Sequence, residues 1–200
     1  MAETSLSGVR LLTAPGQVMT PRPASEALVA AAVARIAGRP LRVVDVGTGS
    51  GAIAIAIASA VPAAEVRATD TSRAAVELAR ANVRRSGLEG RIRVHQADLL
   101  DGVPSPLDLV VANLPYVPVS AAAASADLAA EPSDAVFAPG DGLDPYRRLL
   151  SASAERLAHD GAVILQFHRR VLQAARAELW SLRAELERHA RTAVPLAAAA

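Results

Sequence analysis

The sequence predicts a doubly wound α/β fold, in which a mostly parallel sheet carries helices on both of its faces. Two observations support this prediction. Short runs rich in β-branched residues, among them VVDV and LVVA, alternate along the chain with longer segments rich in Ala, Leu and Arg. Most of the short runs are almost continuously apolar, which is typical of strands buried on both faces. Strands and helices that alternate in this order form parallel sheets through right-handed crossovers.

The individual elements follow from the same pattern. Strands are predicted at residues 41–46, 65–70, 92–96, 107–112 and 162–167. Helices are predicted at residues 25–37, 51–60, 72–86, 146–157 and 171–190. Asp70-Thr71-Ser72 and Asp144-Pro145 indicate helix starts, through side-chain capping and a proline in the first turn. Gly38 and Gly87 lie where two of the helices are expected to end.

The length of 200 residues predicts one domain. Residues 1–20 are interpreted as an N-terminal extension, and residues 118–142, rich in Ala, Ser and Pro, as a lid or insertion. After the last predicted helix only residues 191–200 remain. We therefore expect the C-terminal strand hairpin of the sheet to be cut short.

Composition and charge argue against several classes of protein. The 21 basic residues, all of them Arg, nearly balance the 20 acidic ones, which disfavours a dedicated nucleic-acid binder. The absence of Cys excludes disulfides and zinc–thiolate sites, and the four His form no metal-ligand spacing. The sequence shows no signal peptide and no apolar run long enough to span a bilayer. We expect a cytoplasmic protein with no membrane partner and no metal.

A glycine-rich loop follows the first predicted strand and opens a helix. In Gly47-Thr48-Gly49-Ser50-Gly51, alternate glycines let the backbone turn tightly and approach a ligand closely. The spacing also satisfies a dinucleotide fingerprint, and Asp70 at the end of the second strand suits ribose hydroxyls in either case. Asp45, two residues before the first glycine, favours a cationic ligand such as an adenosyl sulfonium over a pyrophosphate. Asp98, after the third strand, offers an acceptor for an adenine amino group.

The tetrapeptide Asn113-Leu114-Pro115-Tyr116 follows the fourth predicted strand. A planar amide or aryl amino nitrogen is a poor nucleophile because its lone pair is delocalised. The Asn113 side-chain oxygen and a backbone carbonyl of the turn could accept both N–H groups, orient the nitrogen and favour the positive charge that grows on it. Pro115 stiffens the turn, and Tyr116 offers a face to the planar group. The tetrapeptide is therefore a candidate site for a planar nitrogen.

Together these motifs resemble those of a known family. DVGTGSG, ATD, ADLL and NLPY are similar to the successive motifs of class I S-adenosylmethionine-dependent methyltransferases. NLPY is similar to the form found in enzymes that methylate planar nitrogens. The resemblance implies a Rossmann-like methyltransferase sheet and S-adenosyl-L-methionine as the cofactor. It implies catalytic roles for Asn113, Pro115 and Tyr116.

Two further segments narrow the resemblance. PRPASEALV at residues 21–29, and Glu131-Pro132 followed by GDGLDPYR, are similar to segments of the HemK/PrmC family. Those enzymes methylate the side-chain amide of a glutamine in class 1 peptide release factors. The resemblance covers residues 15–167 and implies that residues 21–26 close over the cofactor. It implies cofactor contacts for Pro23, Asp45, Gly47, Thr48, Gly49, Gly51, Asp70, Thr71, Asp98, Leu99 and Asn113.

Three features depart from the family pattern. Leu114 stands where the glutamine methyltransferases usually carry Pro, and the Leu form is more usual in adenine dimethyltransferases that act on ribosomal RNA. Gln166 replaces the family's usual Glu in the fifth strand. No helical N-terminal substrate domain is expected, because there is no room for one before residue 15.

The expected function is therefore N-methylation of a planar amide or amino nitrogen, above all a protein glutamine such as that of a release factor. A small natural-product acceptor and RNA adenine are alternatives; Leu114 favours RNA and the low net charge disfavours it. A non-catalytic, cofactor-binding partner subunit is an alternative of another class, motivated by the short C-terminus and by Gln166. The oligomeric state is left open.

Overall fold

The computed structural model of the protein describes residues 2–36, 41–124, 128, 130–168 and 196–199. A six-stranded sheet forms its centre, and apolar cores lie on both faces of this sheet. Within the described ranges, no helix is long and apolar enough to cross a membrane.

A β-hairpin precedes the sheet in the chain. Strands β1 (Ala2–Leu6) and β2 (Val9–Thr13) pair in antiparallel fashion. Ser7 and Gly8 between them have φ angles of 48° and 79°, as a tight two-residue hairpin turn requires. The Leu12 N–H donates to the side chain of Asn82 at 2.7 Å, which anchors the hairpin. Residues 1–20, interpreted from the sequence as an extension, therefore contain a β-hairpin that the sequence pattern did not predict.

Helices and strands then alternate. The chain continues through α1 (Ser25–Ile36), β3 (Arg42–Val46), α2 (Ala52–Ala60), β4 (Glu65–Asp70), α3 (Arg73–Arg85), β5 (Ile92–Gln96) and β6 (Leu107–Ala112). The 118–142 segment is built from short elements, namely β7 (Val117–Pro118), a 3-10 helix (Val119–Ala124), α4 (Ser133–Val136) and β8 (Phe137–Ala138). The described chain ends with α5 (Asp144–Ala154), β9 (Leu157–His168) and β10 (Leu196–Ala199).

The strand order of the central sheet is β10-β9-β6-β3-β4-β5, and all neighbours are parallel. The chain runs from β3 outward to β5 and then returns to β6 on the other side of β3. The order therefore reverses between β3 and β6. Ligands of open α/β sheets bind in the crevice outside the strands' carboxyl ends at such a reversal. The doubly wound α/β fold is thus confirmed.

The apolar strands face a core on each side. Along β6, Leu109 and Val111 belong to the core that includes residues of α1, α2 and α3. Val110 and Ala112 belong to the opposite core, which includes residues of α5. Because successive side chains of a strand point to opposite faces, a strand buried on both sides is apolar throughout.

Most of the predicted boundaries are close to those observed. The strands predicted at 65–70, 92–96 and 107–112 coincide with β4, β5 and β6. The helices predicted at 51–60 and 72–86 differ at their starts because Gly51 and Ser72 are N-cap residues. The strand predicted at 41–46 begins one residue later, and the one predicted at 162–167 is part of the longer β9.

The helix predicted at 146–157 is wrong at both ends. Helix α5 begins at Asp144, with Pro145 in its first turn, and ends at Ala154. Leu157 instead pairs with Leu107 in the sheet. Residues 37–38 and the helix predicted at 171–190 lie outside the described residues. Where a shortened hairpin was expected, the described chain has the single strand β10, parallel to β9.

Candidate active site

The glycine loop joins the end of β3 to the start of α2. Gly47 and Gly49 have positive φ angles of 70° and 55°, a conformation that residues with side chains rarely adopt. A Cβ atom on Gly47 would lie 2.7 Å from Cδ2 of Leu114, so the position has no room for a side chain. The N–H groups of Gly47 and Thr48 donate to the carbonyl of Thr69 at 2.9 and 3.0 Å. These bonds fix the loop to the end of β4.

Asp45 lies beneath the loop. Its side chain is fully buried, and Oδ2 accepts the Thr48 hydroxyl at 2.6 Å and the Ala54 N–H at 3.1 Å. Burial raises the pKa of Asp45 to about 6, against the effect of these two hydrogen bonds. The role of this carboxylate toward a cationic ligand stays a prediction. Asp45 is not among the residues that line the two cavities described below, and it holds the loop to α2.

Asp70 ends β4 beside the loop. Its Oδ2 accepts the Gly49 N–H and its Oδ1 accepts the Ser72 N–H, both at 2.9 Å. Burial raises the pKa of this carboxyl, and the bonds from Ser72 and Gly49 partly offset the rise. A carboxylate has about four acceptor positions, so Asp70 keeps capacity for a ligand after these two bonds.

A cavity of about 270 Å³, here called the first cavity, opens at the carboxyl ends of the strands. Val18 and Met19, which precede α1, contribute to its wall, as does Arg148 of α5. The cavity brings together most of the residues that the sequence predicted: Gly47, Gly49, Asp70, Thr71, Asp98, Leu99, Asn113 and Pro115.

Asp98 and Leu99 form the wall that follows β5. Asp98 is ion-paired with Arg148, a partner that the sequence did not suggest. Leu99 has a φ of 48°, and its carbonyl accepts the Thr69 hydroxyl at 2.7 Å. The turn after β5 is therefore fixed to both β4 and α5.

Tyr146 of α5 fixes the turn that follows β6. Its buried hydroxyl accepts the Leu114 N–H at 3.0 Å and lies 2.8 Å from the Leu114 carbonyl and 3.0 Å from the Gln166 carbonyl, to which it can donate. Burial raises the pKa of Tyr146 well above its usual value, so the hydroxyl keeps its proton. Its ring packs on Phe167, with centroids 4.2 Å apart. Sequence reasoning did not assign Tyr146 to the site, although it stands in the GDGLDPYR motif.

A second cavity, also of about 270 Å³, adjoins the first. The two cavities share four lining residues, Met19, Gly47, Gly49 and Asn113. The second cavity is further lined by residues from five parts of the chain, among them Leu6, Arg22, Thr48, Tyr116 and Gln166. Asn113 thus stands at the boundary between the cavities.

Two other predicted cofactor residues do not line either cavity. Pro23 is exposed, and its carbonyl accepts the Glu26 N–H at 2.9 Å at the start of α1. A Cβ atom on Gly51 would lie 3.3 Å from the Cα of Ala79, so this glycine allows α2 and α3 to pack closely. The cofactor contacts of Pro23 and Gly51 stay predictions. Near Pro23, it is Pro21 and Arg22 that reach the second cavity.

Glu131 connects two segments that border the cavities. Its Oε2 accepts the Thr20 N–H at 3.1 Å, and its Oε1 is ion-paired with Arg22 at 3.5 Å. The neighbouring Pro132 lines the first cavity, whereas Thr20 and Arg22 line the second. Part of the 118–142 segment therefore borders the site, and its role as a lid stays a prediction.

The family assignment follows from comparison with known sequences. The model of the protein family described as methyltransferase small domain matches residues 22–131. The chain belongs to the methyltransferase small domain family. The matched residues include the glycine loop, Asp70, Asp98 and the NLPY tetrapeptide.

Curated relatives of this methyltransferase small domain support the narrower resemblance. The chain is 39% identical over 180 residues to the release factor glutamine methyltransferase of Deinococcus radiodurans, a match that covers 88% of this chain and 63% of the relative. It is 36% identical over 127 residues to the ribosomal protein uL3 glutamine methyltransferase of Bordetella pertussis. This match covers 62% of this chain and 43% of the relative. These relatives confirm the resemblance of the chain to the HemK/PrmC family. The chain spans less than two thirds of the length of these relatives.

Solved structures agree on the fold of the family. The ribosomal protein L11 methylase from Lactobacillus delbrueckii subsp. bulgaricus matches with a TM-score of 0.61 and 24% identity, over 86% of this chain and 72% of that one. At this identity the likeness concerns the fold alone. It confirms the Rossmann-like methyltransferase sheet.

Proposed function

We propose that this methyltransferase small domain transfers a methyl group from S-adenosyl-L-methionine to a planar amide nitrogen, that of a glutamine side chain in a protein such as a peptide release factor. The observation that carries the proposal is the position of Asn113, between a cavity suited to the cofactor and a cavity bordered by Tyr116. The family and the names of the relatives support this class of reaction.

The first cavity fits an adenosyl cofactor by its chemistry. Gly47 and Gly49 present backbone without Cβ atoms, and at Gly47 a Cβ would collide with Leu114. The free acceptor capacity of Asp70 suits the ribose hydroxyls. Ala97 and Leu99 offer apolar walls for a base beside the carboxylate of Asp98. When bound, S-adenosyl-L-methionine supplies a methyl group on a positively charged sulfur.

At the acceptor, the residues of the chain orient a weak nucleophile, the planar amide nitrogen. Asn113 Oδ1 accepts one N–H of the planar amide, which directs the nitrogen toward the first cavity and favours its growing positive charge. Pro115 and the Tyr146 hydroxyl keep the turn in place, because Tyr146 bonds the Leu114 backbone. Tyr116 borders the second cavity and offers its ring to the planar group.

Leu114 has a structural explanation in this site. Its side chain is 6% exposed and packs toward the Cα of Gly47. It contributes to the wall of the first cavity, so its identity affects the packing of the glycine loop. The Leu form of the tetrapeptide thus does not by itself select RNA as the acceptor.

The experiment is a methyl-transfer assay with labelled S-adenosyl-L-methionine and a glutamine peptide of a class 1 release factor, for the parent and Asn113→Ala. We expect transfer to the glutamine in the parent and a loss of about a hundredfold in kcat in the variant, as for removal of one preorganised polar group. Calorimetry should show a much smaller change in cofactor affinity.

Other results would replace the proposal. Transfer to RNA adenine or to a small amide, with none to the peptide or the full-length release factor, would assign another acceptor class. Cofactor binding without transfer to any of these would favour the non-catalytic subunit.

A further inference from the structure

The central sheet has an uncovered area on one of its faces. The core of one face includes residues of α1, α2 and α3, whereas on the opposite face α5 packs along β9. Between β5 and β6 the described chain forms no helix, although α2 and α3 fill the two crossovers before it. The second face of β4 and β5, which carries Arg67, Arg93 and His95 and is here called the β4–β5 face, therefore lies open within the described chain.

Three basic side chains stand on the β4–β5 face. Val44 of β3 belongs to the core of this face and pairs with Arg67, which in turn pairs with Arg93. Register partners point to the same side of a sheet, and so does His95, two residues further along β5. His95 Nε2 lies 3.5 Å from Arg67 Nη1. Because neighbouring strands are about 4.8 Å apart, the two guanidinium groups can reach one ligand.

The positive charge of this face is not balanced by ion pairs. Arg80, whose Nη2 donates to the Val94 carbonyl at the free edge of β5 at 2.9 Å, adds a third guanidinium group. Among the described residues, none of these three arginines forms an ion pair with a carboxylate. Burial lowers the pKa of His95, and the charges of the three arginines lower it further. Positive charge is therefore concentrated here, although the whole chain is nearly neutral.

A third cavity, of about 140 Å³, opens on this face at the amino ends of the strands. Its lining includes Arg67, Arg93 and the exposed Ser105, which lies in the turn before β6. The first and second cavities lie at the carboxyl ends of the strands, and they share no lining residue with the third. The third cavity is therefore separate from the candidate active site.

The other charged residues of the third cavity leave Arg67 and Arg93 as its ligand-binding cations. Arg42 Nε donates to the Asp108 carboxylate at 2.9 Å, and the Arg91 guanidinium donates to backbone carbonyls at the end of α2. The wall also contains Glu65, which is exposed and forms no ion pair within the described residues. Two unpaired cations against one carboxylate favour an anionic ligand.

A phosphate group suits these two cations best. A guanidinium group binds phosphate oxygens through two parallel N–H donors. The charge of a phosphate monoester, about −1.5 to −2 near pH 7, matches two guanidinium groups better than the single charge of a carboxylate or a phosphodiester does. None of the lining residues is aromatic, so a nucleobase has no ring on which to stack.

We propose that Arg67 and Arg93 form a binding site for a dianionic phosphate group, either free phosphate or a small phosphate monoester. The site lies outside the methyl-transfer machinery and does not depend on the proposed function. The β4–β5 face supplies the charge, and the third cavity supplies a recess for the phosphate oxygens.

The test follows the amide NMR signals of the full chain during titration with inorganic phosphate, at constant ionic strength and about pH 7.5, above the second pKa of a phosphate monoester. We expect shifts in β4, β5 and the turn at Ser105. Arg67→Gln/Arg93→Gln should raise the Kd for phosphate by about tenfold or more, because charge-assisted hydrogen bonds are lost. Acetate should bind the parent at least about tenfold more weakly than phosphate does.

Arg10→Gln/Arg85→Gln is the matched control. It removes the same net charge from exposed positions near the β1–β2 hairpin, where Arg85 pairs with Glu3. Its Kd for phosphate should stay within about twofold of that of the parent, since screening weakens distant surface charges. Titration with glycerol phosphate distinguishes the two sources: a lower Kd than that of phosphate indicates a monoester ligand, and an equal or higher one indicates free phosphate.

Three results would overturn the inference. Phosphate that shifts no signal in β4 or β5 would show that the face binds no such anion. Equal weakening in the two double variants would show attraction by net charge alone. Tighter binding of acetate, or of an oligouridine of about 12 nucleotides without a terminal phosphate, would assign the face to another ligand class. The titrations contain no cofactor and no methyl acceptor, so a failure of the proposed function leaves their outcome unchanged.

Discussion

Asp45 is a carboxyl group that the fold buries completely beneath the glycine loop. Its pKa in the folded protein is about 6, above the ordinary 3.8. Between these pH values the folded protein binds a proton that the unfolded chain releases, so stability falls as the pH rises. The contribution of the protonated Asp45 carboxyl to the free energy of unfolding is fully present below about pH 4 and is lost above about pH 6. Its size is about 3 kcal/mol, from about 1.4 kcal/mol per pKa unit.

Asp45→Asn should remove this dependence. The amide can still accept from Thr48 and Ala54, but it does not titrate in this range. Urea unfolding at a series of pH values from 4 to 7 would measure both proteins. We expect the parent to lose more stability than the variant over this range. Equal slopes for the two proteins would contradict the buried position of Asp45.

Tyr146→Phe and Tyr116→Phe each remove one hydroxyl group, so the two variants can be compared directly. Tyr146→Phe leaves the Leu114 N–H without its partner, and a buried unsatisfied group costs about 1–3 kcal/mol. Tyr116 is half-buried and lines the second cavity. We therefore expect Tyr146→Phe to lower the free energy of unfolding by about 2 kcal/mol, and Tyr116→Phe to change it by less than about 0.5 kcal/mol. Similar values for the two variants would show that the Tyr146 hydroxyl does not hold the turn.

At the scale of elements, the segment before α1 and the 118–142 segment are joined by Glu131. This side chain is 12% exposed and bonds both the Thr20 N–H and Arg22. Glu131→Ala removes both contacts, which should loosen the backbone around Thr20. Hydrogen exchange followed by mass spectrometry should show faster exchange there, by about fivefold or more for a loss of about 1 kcal/mol.

Glu89→Ala is the control for that experiment, because Glu89 is exposed and lies in the turn before β5. Its exchange near Thr20 should match that of the parent. Unchanged exchange near Thr20 in Glu131→Ala would show that the two segments are held by other contacts. The prediction of a lid would then lose its physical basis.

Some elements of the fold can be predicted from the sequence and others cannot. Strands β4, β5 and β6 were predicted at their observed bounds because each is a compact β-rich run between turn residues. The sequence indicated the glycine loop and Asp70 as candidate site residues because the loop directly follows β3 and Asp70 is the last residue of β4. The β1–β2 hairpin was missed, although Ser-Gly between alternating apolar residues is a turn signal.

Tertiary contacts account for the rest of the site. Tyr146 reaches the turn after β6 across 32 positions of the chain, a contact that periodicity does not encode. Asp45 looked like a ligand residue, and only its bonds to Thr48 and Ala54 show that it supports the loop. Gln166 and Asn113 both line the second cavity because β9, β6 and β3 are parallel neighbours in the sheet.

At the scale of the whole molecule, the site lies where the strand order reverses between β3 and β6. The turns after β3, β4, β5 and β6 all contribute to the first cavity, and the end of β9 contributes Gln166 to the second. The two cavities meet at Asn113 and the glycine loop. A cofactor in one and an acceptor in the other would adjoin at the boundary residues, and this is the central claim of the proposed function.

Calorimetric titration with S-adenosyl-L-methionine tests that claim most directly, on the parent, on Asp70→Ala and on the control Glu77→Gln. Glu77 forms an exposed ion pair with Arg73 away from the cavities. We expect micromolar binding by the parent and by Glu77→Gln. Binding by Asp70→Ala should be weaker by about tenfold to a hundredfold, the effect of lost hydrogen bonds to a charged group. Absence of binding by the parent, or equal binding by Asp70→Ala, would contradict the assignment of the first cavity to the cofactor.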